Sequence, residues 1–266
     1  MAITIKSSIA YRFAEPTDFL LQMEAAAIPE QMLTGPGLTL SPTEHTARVS
    51  GEDAIGERIW LRCAGEFRAE YEITAEIQRA LPDITQLPSL LPHDLPGEAV
   101  PYLFDSRFCP ADQFHSFVEG EFGELQGGQR IGAIHDWVAH KFSYVPGSST
   151  STTTALDSFV ERQGVCRDYA HVVITLARAS GIPARYVSCY APNVEPQDFH
   201  AVAEVFLADP QDPVGTGSWH IVDATGMADP RQVVKIGVGR DAAEVSFLTS
   251  YGIAEFIDKQ ITVTET

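Results

Sequence analysis

The stretch Gln163–Val187, QGVCRDYAHVVITLARASGIPARYV, decides how this chain is read. Gly164 breaks the pattern before it, and Cys166 opens a helical run that extends to Ser180. Gly181 followed by Pro183 stops that run. Cys166 therefore falls in the first turn of a helix, directly after a Gly-Val turn. The first N–H groups of a helix have no partner within it, and the helix dipole is positive there. Both effects favour thiolate over thiol, and the thiolate is the nucleophile. The same N–H groups can receive an oxyanion. One local element thus offers a nucleophile together with donors for the charge it generates.

A thiolate catalyst also needs a base that protonates the leaving group. Downstream, His200 opens the strand-like run HAVAEVFLA, and Asp223 lies near the end of SWHIVDAT. On neighbouring antiparallel strands, a carboxylate at 223 reaches an imidazole at 200 and fixes its tautomer. The candidate catalytic residues are therefore Cys166, His200 and Asp223.

Four ordered motifs carry a resemblance: GVCRDYA (Gly164–Ala170), GIPARYV (Gly181–Val187), HAVAEV (His200–Val205) and the interval from Trp219 to Asp223. Together they resemble the transglutaminase-like superfamily over at least residues 130–226. The β-rich N-terminal part and the junction YLFDSRFC (Tyr102–Cys109) resemble its bacterial members, which are described as cysteine proteases. Two positions depart from the family's habit: Val202 stands where an aromatic residue is frequent, and Ala224 where proline is frequent. These bear on pocket shape and remove no catalytic atom.

The resemblance implies Cys166 as nucleophile, His200 as general base and Asp223 as orienting acid, in a papain/transglutaminase-like fold. The expected activity is thiol-dependent acyl transfer from an amide or peptide bond, by a cysteine protease or amidase, with a peptide or protein amide as substrate. Amine transfer, as in a protein-glutamine crosslinking enzyme, and a non-catalytic binding module are the alternatives. Hydrolysis is favoured because crosslinking needs water kept from the thioester, and no DxDxDG calcium loop is present.

Outward from this centre the expected class is α+β. Residues 1–80 read as an antiparallel β-sandwich-like domain: strands at 3–13 and 18–27, then two strands at 57–77 about a turn at Gly65. Residues 81–110 hold repeated prolines, which oppose any long regular element, and read as a linker lying on protein. Residues 111–266 read as the catalytic domain. Its helices fall at 111–122, 129–142, 155–163 and 166–180, and strands follow from 184 to 264 as one antiparallel sheet packed on them.

Several other residues invite function and have plainer readings. Asp168 is expected to cap the helix, and His171 to make a structural hydrogen bond. His135, Asp136 and His140 lack a metal-ligand spacing and are expected to be solvated or capping, while Trp137 is expected in the core. Cys63, Cys109 and Cys189 read as ordinary core or surface thiols. No cofactor or metal is expected. The chain has 266 residues, with 18 Lys+Arg against 36 Asp+Glu and a formal charge of −18. That field opposes nucleic acid and anionic membranes as partners. No span-length apolar run and no signal-peptide pattern is seen, and reduced thiols fit a cytoplasmic location.

Overall fold

The computed structural model describes residues 2–208 and 217–266. In chain order, β1 (Ala2–Leu21), β2 (Gln31–Leu40), β3 (His45–Ser50) and β4 (Glu57–Ile77) precede a segment of short 3-10 turns. Helices α1 (His115–Phe122) and α2 (Gly127–Lys141) follow, then β5 (Ser143–Tyr144), α3 (Ala155–Glu161), β6 (Gln163–Gly164) and α4 (Cys166–Ala179). The chain ends with β7 (Ala184–Tyr190), β8 (His200–Leu207), β9 (Ser218–Val222), β10 (Val234–Gly239), β11 (Leu248–Ser250) and β12 (Glu255–Glu265). This is a mixed α and β fold with antiparallel sheets. Among the described residues, no helix is long and apolar enough to cross a membrane.

The first sheet is built on β1 and β4, which pair antiparallel along nearly their whole length. Its apolar positions alternate: Ile3, Ile5 and Ile9 on β1, and Phe67, Ala69, Tyr71 and Ile73 on β4, are buried. Two expectations fail here. Residues 3–27 hold one long strand in place of two, and so do residues 57–77. Gly65 does not reverse the chain. It pairs with Phe13 at the point where the β1 register shifts, and Ala14–Pro16 form an exposed bulge opposite it. Pro16 is tolerated because the bulge needs no ladder donor from it.

The sheet also corrects the expected sandwich and its limits. Its six strands are hydrogen-bonded as one sheet, in which β12 and β11 both pair with β1. The C-terminal run expected in the helix-packed sheet therefore closes the N-terminal one, and the Thr266 N–H donates to the Ala2 carbonyl at 3.0 Å.

The second sheet has the order β10-β7-β8-β9, antiparallel throughout. Every residue of β7, β8 and β10 is buried. α4 covers one face, packing on β7 and β8, with α2 and α3 outside it. All residues of α4 from Asp168 to Ala179 are buried, so it is the central element of the helical layer. Toward the other sheet, Tyr190, Val234 and Ile236 share a core with the first-sheet isoleucines. The proline-rich segment carries no long element and lies against α2, where the Gly128 N–H donates to the Leu87 carbonyl at 2.8 Å.

Candidate active site

Local packing explains why Cys166 starts a helix. A Cβ on Gly164 would stand 2.5 Å from the Asp168 Cβ, so only glycine fits before the turn. Asp168 Oδ2 accepts the Val165 N–H at 2.8 Å, which is the expected capping role, and the Asp168 and Tyr169 N–H groups donate to the Val165 carbonyl. Cys166 is the first helical residue and is half-buried.

A second element reaches the same point. The two-residue strands β5 and β6 pair in parallel, with Tyr144 opposite Gly164, and the Val145 N–H donates to the Gly164 carbonyl at 2.9 Å. This sets the Tyr144 phenol beside Cys166. Burial, followed by the charge of Cys166, raises that phenol to about 12. Tyr144 thus stays a protonated donor at neutral pH.

His200 and Asp223 come together as the spacing predicts. β8 and β9 are antiparallel neighbours; His200 opens β8 and Asp223 directly follows β9. His200 Nε2 lies 3.0 Å from Asp223 Oδ2, and both residues are buried. The carboxylate also accepts the Thr225 N–H at 2.9 Å, the Thr225 hydroxyl at 2.7 Å and the Ala228 N–H at 2.8 Å. Burial opposes its charge, but the bond to His200 and these further donors hold it below the usual aspartate range.

The ring has one nitrogen left. Burial disfavours charging His200, yet its bond to Asp223 and its contact with the Cys166 thiol outweigh this and raise it to about 9. The thiol is near enough to act on the ring without forming an aligned hydrogen bond: Nδ1 has no such partner among the described residues. The three candidates from the sequence therefore meet, with Cys166 at the helix start, Asp223 on Nε2, and Nδ1 free for the sulfur. A cavity of about 260 Å³ opens beside Cys166 and His200.

The remaining candidates sort differently. His171 is fully buried, and its Nε2 accepts the Ala242 N–H at 3.2 Å. His135 was expected to be solvated or capping; its Nε2 instead donates to the Asp223 carbonyl at 3.2 Å, while Nδ1 meets Asp136. His140 bonds back to the Asp136 carbonyl within the helix. Trp137 packs against the helical core, stacked on Phe159. Cys63, Cys109 and Cys189 are buried, and burial raises the thiol of each, that of Cys109 to about 12. No group of three or more His, Cys, Asp and Glu side chains placed to hold a metal occurs among the described residues. Sequence reasoning missed Tyr144 and the bond between His135 and the Asp223 carbonyl. Tyr144 gives only an aromatic residue just past a helix as its signal, because a two-residue parallel pairing leaves no periodicity to read.

Three comparisons bear on this arrangement. Residues 116–224 match the family model described as the transglutaminase-like superfamily. The crystal structure of a protein of Cytophaga hutchinsonii, described as a putative cysteine protease, is 32% identical and superposes with a TM-score of 0.89, covering 99% of this chain and 90% of that one. An uncharacterized protein of Mycobacterium leprae is 30% identical over 139 residues, 45% of this chain and 46% of the relative. One of Mycobacterium tuberculosis is 36% identical over 115 residues, 39% of this chain and 35% of the relative. The matched stretch thus spans less than half the length of these mycobacterial relatives. The family match falls on the helices and strands that hold Cys166, His200 and Asp223, and the Cytophaga likeness extends through both sheets: the chain belongs to the transglutaminase-like superfamily.

Proposed function

We propose that the chain is a thiol-dependent amide or peptide hydrolase with a Cys166–His200–Asp223 triad. The observation that carries this reading is the His200 ring, held by a buried carboxylate on Nε2 and left open on Nδ1 beside a cysteine at a helix start. At neutral pH, a ring raised to about 9 is protonated and can give its proton to a departing amine.

The steps follow from these positions. The Cys166 thiolate adds to the substrate carbonyl carbon, and the oxygen takes the negative charge. Backbone N–H groups at the start of α4 and the Tyr144 hydroxyl donate to that oxygen. The carbon–nitrogen bond breaks as Nδ1 gives its proton to the departing amine, which leaves a thioester on Cys166 and a neutral ring. Water then gives a proton to Nδ1 and adds to the thioester carbon. The carbon–sulfur bond breaks, releasing the acid and restoring the thiolate–imidazolium pair. Asp223 keeps the ring turned throughout.

The test joins chemistry to labelling. Iodoacetamide at mildly acidic pH is expected to modify Cys166 before Cys63, Cys109 and Cys189, because those three are buried and their thiols raised. Turnover of a peptide or amide substrate is expected to vanish in Cys166→Ala and His200→Ala, with the fold retained by circular dichroism. Equal labelling of all four thiols, or full turnover by Cys166→Ala, overturns the reading.

A further inference from the structure

The cavity beside Cys166 has a second wall that the triad does not use. Besides Cys166 and His200, the cavity's lining includes Asp198, Phe199, Phe247 and Lys259. Lys259 lies on β12, opposite Ile9 of β1, and so reaches the cavity from the first sheet. Its ammonium contacts both Asp198 carboxylate oxygens, at 2.6 and 2.5 Å. Asp198 stands two positions before His200, and its charge contributes to raising the Tyr144 phenol beside Cys166. Phe199 and Phe247 stack below, 4.8 Å apart and 10° from parallel, with the Lys259 nitrogen 6.0 Å from the Phe247 centroid. A carboxylate and an aromatic ring that meet the same ammonium together make a receptor for such a group.

We infer that Asp198, Phe199 and Phe247 form an ammonium subsite at the acceptor side of Cys166, and that Lys259 is its internal occupant, which reserves the thioester for water. The inference rests on the proposed hydrolase function. A thioester on Cys166 has two fates. Water yields an acid. A bound alkylammonium that loses one proton to solvent can instead attack as an amine. It then forms a carbon–nitrogen bond, breaks the carbon–sulfur bond and passes its second proton to the neutral His200 ring. The product is an amide, with the thiolate and imidazolium restored. A chain of charge −18 attracts cationic amines, so an open Asp198 would favour that route. With Lys259 in place, the carboxylate is already paired. The pair is also displaceable, since the side chains of Lys259 and Asp198 are 27% and 39% exposed.

The experiment reads the fate of one acyl group. Nitrophenyl acetate acylates the full chain, cadaverine is the amine, and acetate and N-acetylcadaverine are measured by mass spectrometry against the Cys166→Ala background. The unsubstituted chain is expected to give mainly acetate. Lys259→Met, which keeps an apolar stem over Phe247, is expected to raise the amide-to-acetate ratio about tenfold. Lys259→Arg should stay near the starting ratio, and adding Asp198→Asn to Lys259→Met should cancel the gain. Cys166-dependent nitrophenolate release in each variant shows that it folds and acylates. An unchanged ratio in Lys259→Met with that release intact overturns the inference alone. Absence of Cys166-dependent release from the unsubstituted chain overturns the hydrolase reading, and the inference with it.

Discussion

The two sheets use charge in opposite ways. On the first, apolar residues alternate with polar ones, and ion pairs such as Lys6–Glu72 lie on the wet face, with side chains 61% and 49% exposed. On the second, β7, β8 and β10 are buried on both faces, yet they carry Arg185, Glu204 and Lys235. Glu204 takes Arg185 Nε at 2.8 Å on one oxygen and the Lys235 ammonium at 2.5 Å on the other, the latter an ion-pair contact without an aligned hydrogen bond. Arg185 continues to Asp53 at 2.9 Å, and Lys235 to Glu30 at 2.6 Å, so the network ties the second sheet to loops of the first. His200 opens β8 of this same buried sheet, and Asp223 directly follows its β9. Water screens charge on the first sheet and is excluded from the second, where a misplaced charge is costly and a well-placed one acts strongly.

The largest expected effect breaks that contrast directly. Glu204→Gln removes the shared negative charge and one of its two acceptor oxygens, and leaves Arg185 and Lys235 buried with too little negative charge. Breaking a buried pair from one side costs about 3–5 kcal/mol. Glu72→Gln on the first sheet should cost less than ~1 kcal/mol, since exposed pairs are weak. Urea unfolding of the two variants measures both, and equal losses would refute the contrast. The pH dependence has a definite sign. Burial opposes the Glu204 charge, but Lys235 and Arg185 lower its pKa from 4.5 to about 2. Its contribution is therefore complete above about 4.5 and fades as pH falls toward 2.

Asp223→Asn sharpens the comparison at the site. It keeps the shape on Nε2 but removes the charge that helps raise His200 to about 9. In the proposed mechanism the alkaline limb of kcat/KM marks loss of the His200 proton, near 9 in the unsubstituted chain. The limb should move toward lower pH in the variant, and the maximum should fall about 10²-fold, the scale of a weakened proton-transfer group. Stability carries the same sign. A ring raised above its ordinary 6.5 contributes fully below that value, and the contribution is lost as pH rises through about 9. An unmoved alkaline limb would separate Asp223 from the proton chemistry.

Much of the second sheet's side of this comparison was legible in the sequence. The Gly-Val-Cys turn, the helix stop at Gly181 and Pro183, and the strand opening at His200 are local signals and fall where they are read, while the strand read through Asp223 ends one residue earlier, at Val222. What escaped depends on distance along the chain. β12 alternates like any strand, and nothing local says that its partner is β1, more than two hundred positions away. Tyr144 reaches Cys166 through a pairing of two residues, too short to leave a pattern. His135 sits on the rim of a helix, and its bond to the Asp223 carbonyl depends on how that helix docks. The first sheet also shows a signal that was present and misweighed. Ile59, Leu61 and Cys63 stay in phase with Phe67, Ala69 and Tyr71, as one continuous strand requires.

The smallest expected effect concerns the glycine inside that strand. Gly65 has φ +81, in the left-handed region, and a Cβ there would meet nothing within 4 Å. It stands opposite Phe13, where three residues of β1 form an exposed bulge, a feature that bends the strand carrying it. A glycine in open space is required by its backbone alone, so Gly65→Ala should cost about 1–2 kcal/mol, the price of the left-handed conformation for a residue with a Cβ. Gly65→Asn should cost less, because asparagine visits that region more readily. Neither variant touches the cavity beside Cys166, so thiol labelling and turnover should stay at the unsubstituted level while the urea midpoint falls. If alanine at 65 costs nothing, the bend does not need the left-handed residue. If turnover falls with stability intact, the first sheet does more for the site than supply a wall, because a bend at Gly65 reaches the cavity only through β1 and its partner β12, which carries Lys259.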